Sequence, residues 1–134
     1  MEFDTSSPIW GQLVAEFSRR IVTGEWPAGS RIAGVRELAG ELGVNPNTTQ
    51  RALAELERQQ LCRSERTAGR FVTADSDRID TLRSELAQGA ADDFVRRARG
   101  LGMRPDQARR LIDERWSHDD HHDHLAGGVT DDVR

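Results

Sequence analysis

The sequence predicts a mainly α-helical chain with a small β-wing, followed by a two-helix unit near its C-terminal end. Three observations carry that expectation. Apolar residues recur at helical spacing in five stretches. Proline and glycine fall at the joints between those stretches rather than inside them. Directly after the third stretch come two short β-like runs separated by a polar loop.

Each element has its own signal. Ser7-Pro8 predicts a helix start, with Ser7 as cap and Pro8 in the first helical position. Ile9, Leu13, Phe17 and Ile21 then form one apolar face, with Trp10 and Val14 beside it, until Gly24 stops the helix. Residues 25–30 form a Pro/Gly turn, and Arg31-Ile32-Ala33 suits a short strand. A second helix from Val35 to Leu42 turns Leu38 and Leu42 inward and ends at Gly43. Asn45-Pro46 repeats the cap-plus-proline start, and the third helix, 46–60, faces Ala52, Leu53 and Leu56 to the core. Leu61–Ser64 and Phe71–Thr73 read as two strands joined by the polar loop 65–70. A long helix from about Asp77 to Arg99 carries Ile79, Leu82, Leu86, Ala90 and Phe94 at helical spacing. Gly100 and Gly102 break it. Pro105 starts a last helix with Ala108, Leu111, Ile112 and Trp116 on one face. Residues 117–134 are polar, contain glycine and read as a disordered tail. The expected division is 1–75, 76–116 and 117–134.

Bulk properties narrow the functional classes. No run of about 18 or more apolar residues occurs, so no membrane span is expected. The start MEFDTSSPIW has neither the basic nor the apolar region of a signal peptide. Cys62 is the sole cysteine, so no internal disulfide forms, and the cytoplasm is the expected compartment. The net charge of −4 argues against a nucleic-acid partner until its distribution is examined. Residues 51–70 hold five arginines against three glutamates, whereas residues 117–134 hold five aspartates against one arginine. The acidity therefore lies largely in the tail. No nucleophile–base arrangement and no phosphate-cradling glycine loop occurs, so neither an enzyme nor a cofactor is expected.

The third helix holds the functional signal. Its start offers free backbone N–H groups and the positive end of a helix dipole to a phosphate. Asn47, Thr48, Gln50 and Arg51 stand off the core face. Asn and Gln pair bidentately with adenine, and Arg pairs with guanine or phosphate. Arg36, early in the second helix, is placed to reach the sugar-phosphate backbone. In the wing, 61–74, Arg66 and Arg70 are placed to enter or flank a minor groove. Helix, helix-turn-helix and basic hairpin in this order predict a winged helix-turn-helix that binds double-stranded operator DNA. A winged helix can also dock protein without binding DNA, and that alternative stays open on fold alone.

Residues 8–72 resemble the DNA-binding domain of the GntR family of bacterial regulators. The matching stretches are PIWGQLVAEFSRRIVTGEWPAGSRI, VRELAGELGVNPNTTQRALAELE and the wing ending GRFV. The resemblance implies that Arg36 binds phosphate and that Asn45, Asn47 and Thr48 line the helix start. It also implies that the Gly69 wing tip approaches the minor groove, and Thr67 is a further candidate for DNA contact. Three departures stand out. Ile32-Ala33-Gly34 replaces the usual Leu-Pro-Ser, so Gly34 offers no capping hydroxyl. Thr49-Gln50 stands where the family often has an apolar residue and arginine. Arg70 stands where the family has threonine. Gln50 favours adenine over guanine, which implies an altered operator.

The short remainder of the chain resembles the YtrA-like subfamily, which implies a small helical dimerisation unit and a repressor. The physics agrees, because an isolated helix pair leaves its apolar stripe exposed unless a partner covers it. Ile79, Leu82, Leu86, Phe94, Leu111 and Ile112 are the expected homodimer contacts. About 40 residues between joint and tail leave little room for an enclosed effector pocket, and no effector is identified. In the tail, His118, His121, His122 and His124 alternate with aspartates, ligand types that suit zinc, nickel or copper. A metal-responsive regulator is thus a further alternative, set against simple chelation by a flexible end.

Overall fold

The structure, a computed structural model, describes residues 1–132, with side chains as far as Asp120. Five helices and three short strands follow in the order α1 (Ile9–Val22), β1 (Arg31–Ile32), α2 (Val35–Leu42), α3 (Pro46–Arg58), β2 (Cys62–Glu65), β3 (Gly69–Val72), α4 (Ser76–Gly100) and α5 (Pro105–Asp132). The chain divides into a unit spanning Met1–Ala87 and a second from Gln88 onward, with the division inside α4.

The first unit is a winged helix-turn-helix. Leu13, Phe17 and Ile21 of α1, Leu38 of α2 and Leu53 and Leu56 of α3 meet in one core. These are the positions that the apolar spacing selects. Trp26 in the following turn stacks on Phe17, with ring centroids 5.0 Å apart. Gly43 closes α2 in the left-handed conformation, φ 69°, as a terminal glycine does. Gly34 precedes α2 with no side-chain cap. At α1 the expectation shifts by one residue. Pro8 is the cap, and the Ser7 hydroxyl instead accepts from Gln12 Nε2 at 3.1 Å.

The sheet has the order β1-β3-β2, antiparallel throughout. Arg31 pairs with Phe71 and Ile32 with Arg70, while Cys62 pairs with Val72 and Ser64 with Arg70. Thus β1 completes the wing as a third strand. Val72 N–H donates to Ser30 O at 2.9 Å, which fixes the turn before β1 against β3.

Helix α4 begins at a cap supplied by Asp75, whose carboxylate accepts from the N–H groups of Asp77 and Arg78. Its first turns belong to the winged unit. Ile79 and Leu82 are buried in the same core as Leu13 and Leu53, 8% and 3% exposed. Arg78 Nε donates to Gln59 O, where α3 ends, and Arg83 donates to Val22 O, where α1 ends. Two orphan carbonyls at helix C-termini are satisfied in this way. The first compact unit thus runs to Ala87, past the joint at residue 75. Ile79 and Leu82, expected as dimer contacts, have already buried their apolar surface within their own chain.

In the second unit α4 ends in a Schellman turn. Met103 N–H bonds to Ala98 O, Gly102 N–H bonds to Arg99 O, and Gly102 has φ 79°. Pro105 opens α5, which continues to Asp132 instead of stopping near Trp116. Residues 117–126 contain neither proline nor glycine, and a polar composition there costs a helix only tenths of a kcal/mol per residue, whereas Gly127 and Gly128 each cost about 1 kcal/mol. Of the four histidines, His118 is exposed, and the side chains of His121, His122 and His124 lie outside the described residues. Among the described residues no His, Cys, Asp and Glu cluster able to hold a metal occurs, and no helix is long and apolar enough to cross a membrane.

Candidate nucleic-acid interface

The start of α3 is built by local chemistry. Asn45 caps it, its side chain accepting from Asn47 N–H at 2.7 Å, and Pro46 fixes the first turn. Thr49 turns inward, fully buried, and its hydroxyl donates to Asn45 O. That inward turn leaves Asn47, Gln50 and Arg51 exposed and Thr48 half-buried on the outer side. Arg36 is exposed at the second position of α2. The outer face of the helix-turn-helix thus carries amide and guanidinium groups with no carboxylate on that face of the first α3 turn.

Arg51 does not extend freely. Its guanidinium lies over the Trp10 ring of α1, 4.3 Å from the centroid. A cation–π contact of this kind is worth about 0.5–1 kcal/mol at an exposed site. It holds the Arg51 head group against α1.

Not every arginine of the basic segment is equally free. Arg58 is held by Glu55, whose carboxyl that pairing lowers to about 2. Arg63 is held by Glu65 and lies over the Phe71 ring. Arg51, Arg66 and Arg70 have no carboxylate partner among the described residues.

The two wing arginines, taken together in the sequence, separate in the structure. Arg66 and Thr67 are exposed at the hairpin tip. Arg70 pairs with Ile32 and Ser64, and residues paired across antiparallel strands share a face. Since Ile32 and, two residues along, Val72 are buried, Arg70 lies on the inner face, which looks toward α3. It is not a tip residue. Nearby, Ser64 donates to Glu57 of α3 at 2.6 Å, tying wing to helix. Cys62, buried beneath this contact, has its thiol pushed up to about 11 by desolvation, so it is not a reactive group.

Sequence reasoning missed Trp10 as the seat of Arg51, and it missed Arg31 altogether. Arg31 Nε donates to Ala68 O at 3.1 Å, a bond spanning 37 residues that no local pattern signals. Gly69 makes room for it. With φ 111° it adopts a conformation that suits glycine, and a Cβ there would stand 2.9 Å from Arg31 Nε.

The remaining candidates lie on α4 and α5. Leu86 is exposed on α4 within the first unit. In the second unit Phe94 is half-buried, and Leu111 and Ile112 are exposed. Val95, Leu101 and Trp116, the last two 80% and 71% exposed, add apolar surface there that the sequence reading did not count as contacts.

Known proteins share this fold. Residues 11–72 match the family model of bacterial regulatory proteins of the gntR family. The HTH-type transcriptional regulator Rv1152 of Mycobacterium tuberculosis is 36% identical over 112 residues, covering 84% of this chain and 88% of that protein. The HTH-type transcriptional repressor YtrA of Bacillus subtilis is 32% identical over 69 residues, 52% of this chain and 53% of that protein. Among solved structures, a GntR family transcriptional regulator from Listeria monocytogenes superposes with a TM-score of 0.72 at 37% identity, covering 84% of this chain and 98% of that one. Fold, motif and relatives agree, and the chain belongs to the GntR family of bacterial transcription regulators.

Proposed function

We propose that this regulator is a homodimeric repressor that reads operator DNA with α3 in the major groove and the wing at the adjacent minor groove. The observation that carries the reading is the exposed face of α3. Asn47, Gln50 and Arg51 stand clear of the core at a helix start fixed by Asn45 and Pro46. In this reading Gln50 and Asn47 meet base edges, and Arg36, Arg51 and Thr48 meet phosphates. Arg66, Thr67 and Gly69 approach the minor groove. The repressor role follows the likeness to YtrA, which bears that name.

Dimerisation is assigned to the exposed apolar surface of α4 and α5. An open groove of about 300 Å³, lined by Phe94, Ala98, Met103 and Ile112, suits an apolar side chain of a second copy. Two-fold partners are the commonest way to cover such a surface. They also set two recognition helices about one DNA turn apart.

Binding-site selection with the purified full chain, followed by affinity measurements over a salt series, tests the DNA reading. Steeply salt-dependent binding with enrichment of a two-fold symmetric site is expected. Salt-independent or absent binding would favour a protein-docking winged helix. A reporter placed behind the selected site distinguishes repression from activation.

A further inference from the structure

Between α3 and the wing lies a crevice of about 470 Å³. Gln50 lines one wall, and Arg31, Arg66 and Arg70 line the other side. The only carboxylate on its lining is Glu65, which is paired with Arg63. Arg70 enters from the inner face of β3. Its Nε is buried and has no hydrogen-bond partner among the described residues. A buried Nε–H with no hydrogen-bond partner is an unfavourable element of a free protein, because buried polar groups are normally paired. The walls around it are nonetheless firm. Arg31 braces Ala68 across Gly69, and Ser64 bonds to Glu57.

We infer that this crevice is a phosphate site, in which Arg70 clamps one backbone phosphate of the bound DNA. The inference rests on the DNA-binding reading above. When a helix occupies the major groove and a hairpin meets the neighbouring minor groove, the sugar-phosphate strand dividing the two grooves runs between them. Here that path is the crevice. A phosphate oxygen accepts from the guanidinium edge in a charge-assisted hydrogen bond. Arg70 then positions the duplex without reading it, while Gln50 on the opposite wall reads a base.

The test uses the full chain and two duplexes, the selected operator and a scrambled sequence, with affinity measured over a salt series. Arg70→Gln should weaken both duplexes by the same factor, about tenfold, and lower the slope of log affinity against log salt by about 1. Duplexes carrying one uncharged methylphosphonate at successive positions supply a second readout, using the wild-type protein. One position on the strand between the grooves should cost the wild type that same factor and cost Arg70→Gln nothing further. Unchanged affinity and slope in Arg70→Gln, or a loss confined to one base pair, would overturn the clamp. The absence of any such methylphosphonate position would overturn it as well. A wild-type chain that binds no duplex would instead overturn the DNA reading itself, so the two failures are distinct.

Discussion

The guanidinium of Arg51 lies over the indole of Trp10, 4.3 Å from the ring centroid, joining the recognition helix to α1. The contact gives Arg51 a defined place beside the start of α3. Trp10→Ala should therefore weaken operator binding several-fold, in line with a contact worth about 0.5–1 kcal/mol. Trp10→Phe should retain much of the affinity. In a double-mutant cycle with Arg51→Ala, the two losses should not add. Full additivity, measured by titration, would show that Trp10 does not act through Arg51.

The wing depends on Gly69. Gly69→Ala forces a side chain into φ 111° and sets a Cβ 2.9 Å from Arg31 Nε. A cost of about 1–3 kcal/mol in stability is expected from strain of this kind. Arg31→Ala in the same chain should relieve the clash but not the backbone strain. Thermal unfolding of the single and double variants measures the two parts separately.

Ile79 and Leu82 serve the fold of the winged unit, whereas Leu111 and Ile112 are assigned to the partner. Ile79→Ala and Leu82→Ala should each lower stability by about 2–5 kcal/mol through cavity formation. Leu111→Ala and Ile112→Ala should instead shift the chain toward monomer in sedimentation equilibrium. An unchanged dimer mass in the latter pair would remove α5 from the interface.

Glu16 of α1, like Glu55 of α3, adds to the acid sensitivity of the first unit. Hydrogen bonding to Arg19, then to Arg20, lowers its carboxyl to about 2 from the ordinary 4.5. Arg20 also reaches Glu41 of α2, at 3.4 Å. A depressed carboxyl stabilises the fold above its unfolded value, and that stabilisation is lost as protons return. Stability should therefore fall between about pH 4.5 and 2, and Glu16→Gln should flatten the fall over that window. Denaturant midpoints measured across the window check this, and an unaltered profile in Glu16→Gln would assign the sensitivity elsewhere.

The sequence by itself determined what depends on neighbours along the chain. Ile9, Leu13, Phe17 and Ile21 mark a helix because four residues bring a side chain back to the same face. Asn45-Pro46 marks the start of α3 because the cap and the fixed proline φ act within one turn. From these, the winged helix-turn-helix and the exposed Asn47, Gln50 and Arg51 were legible. Tertiary structure alone decided the rest. The pairing of β1 with β3, the bond from Arg31 to Ala68 and the seat of Arg51 on Trp10 join residues distant in sequence, where no periodicity links them. Burial is likewise a property of the packed chain. Ile79 and Leu82 share the helical spacing of Leu86 and Phe94, yet only the former pair meets the core of the winged unit. For Arg70 the sequence supplied the charge of the wing. The pleat of β3 decided that this charge faces α3 rather than the tip, because neighbouring side chains on a strand point to opposite faces.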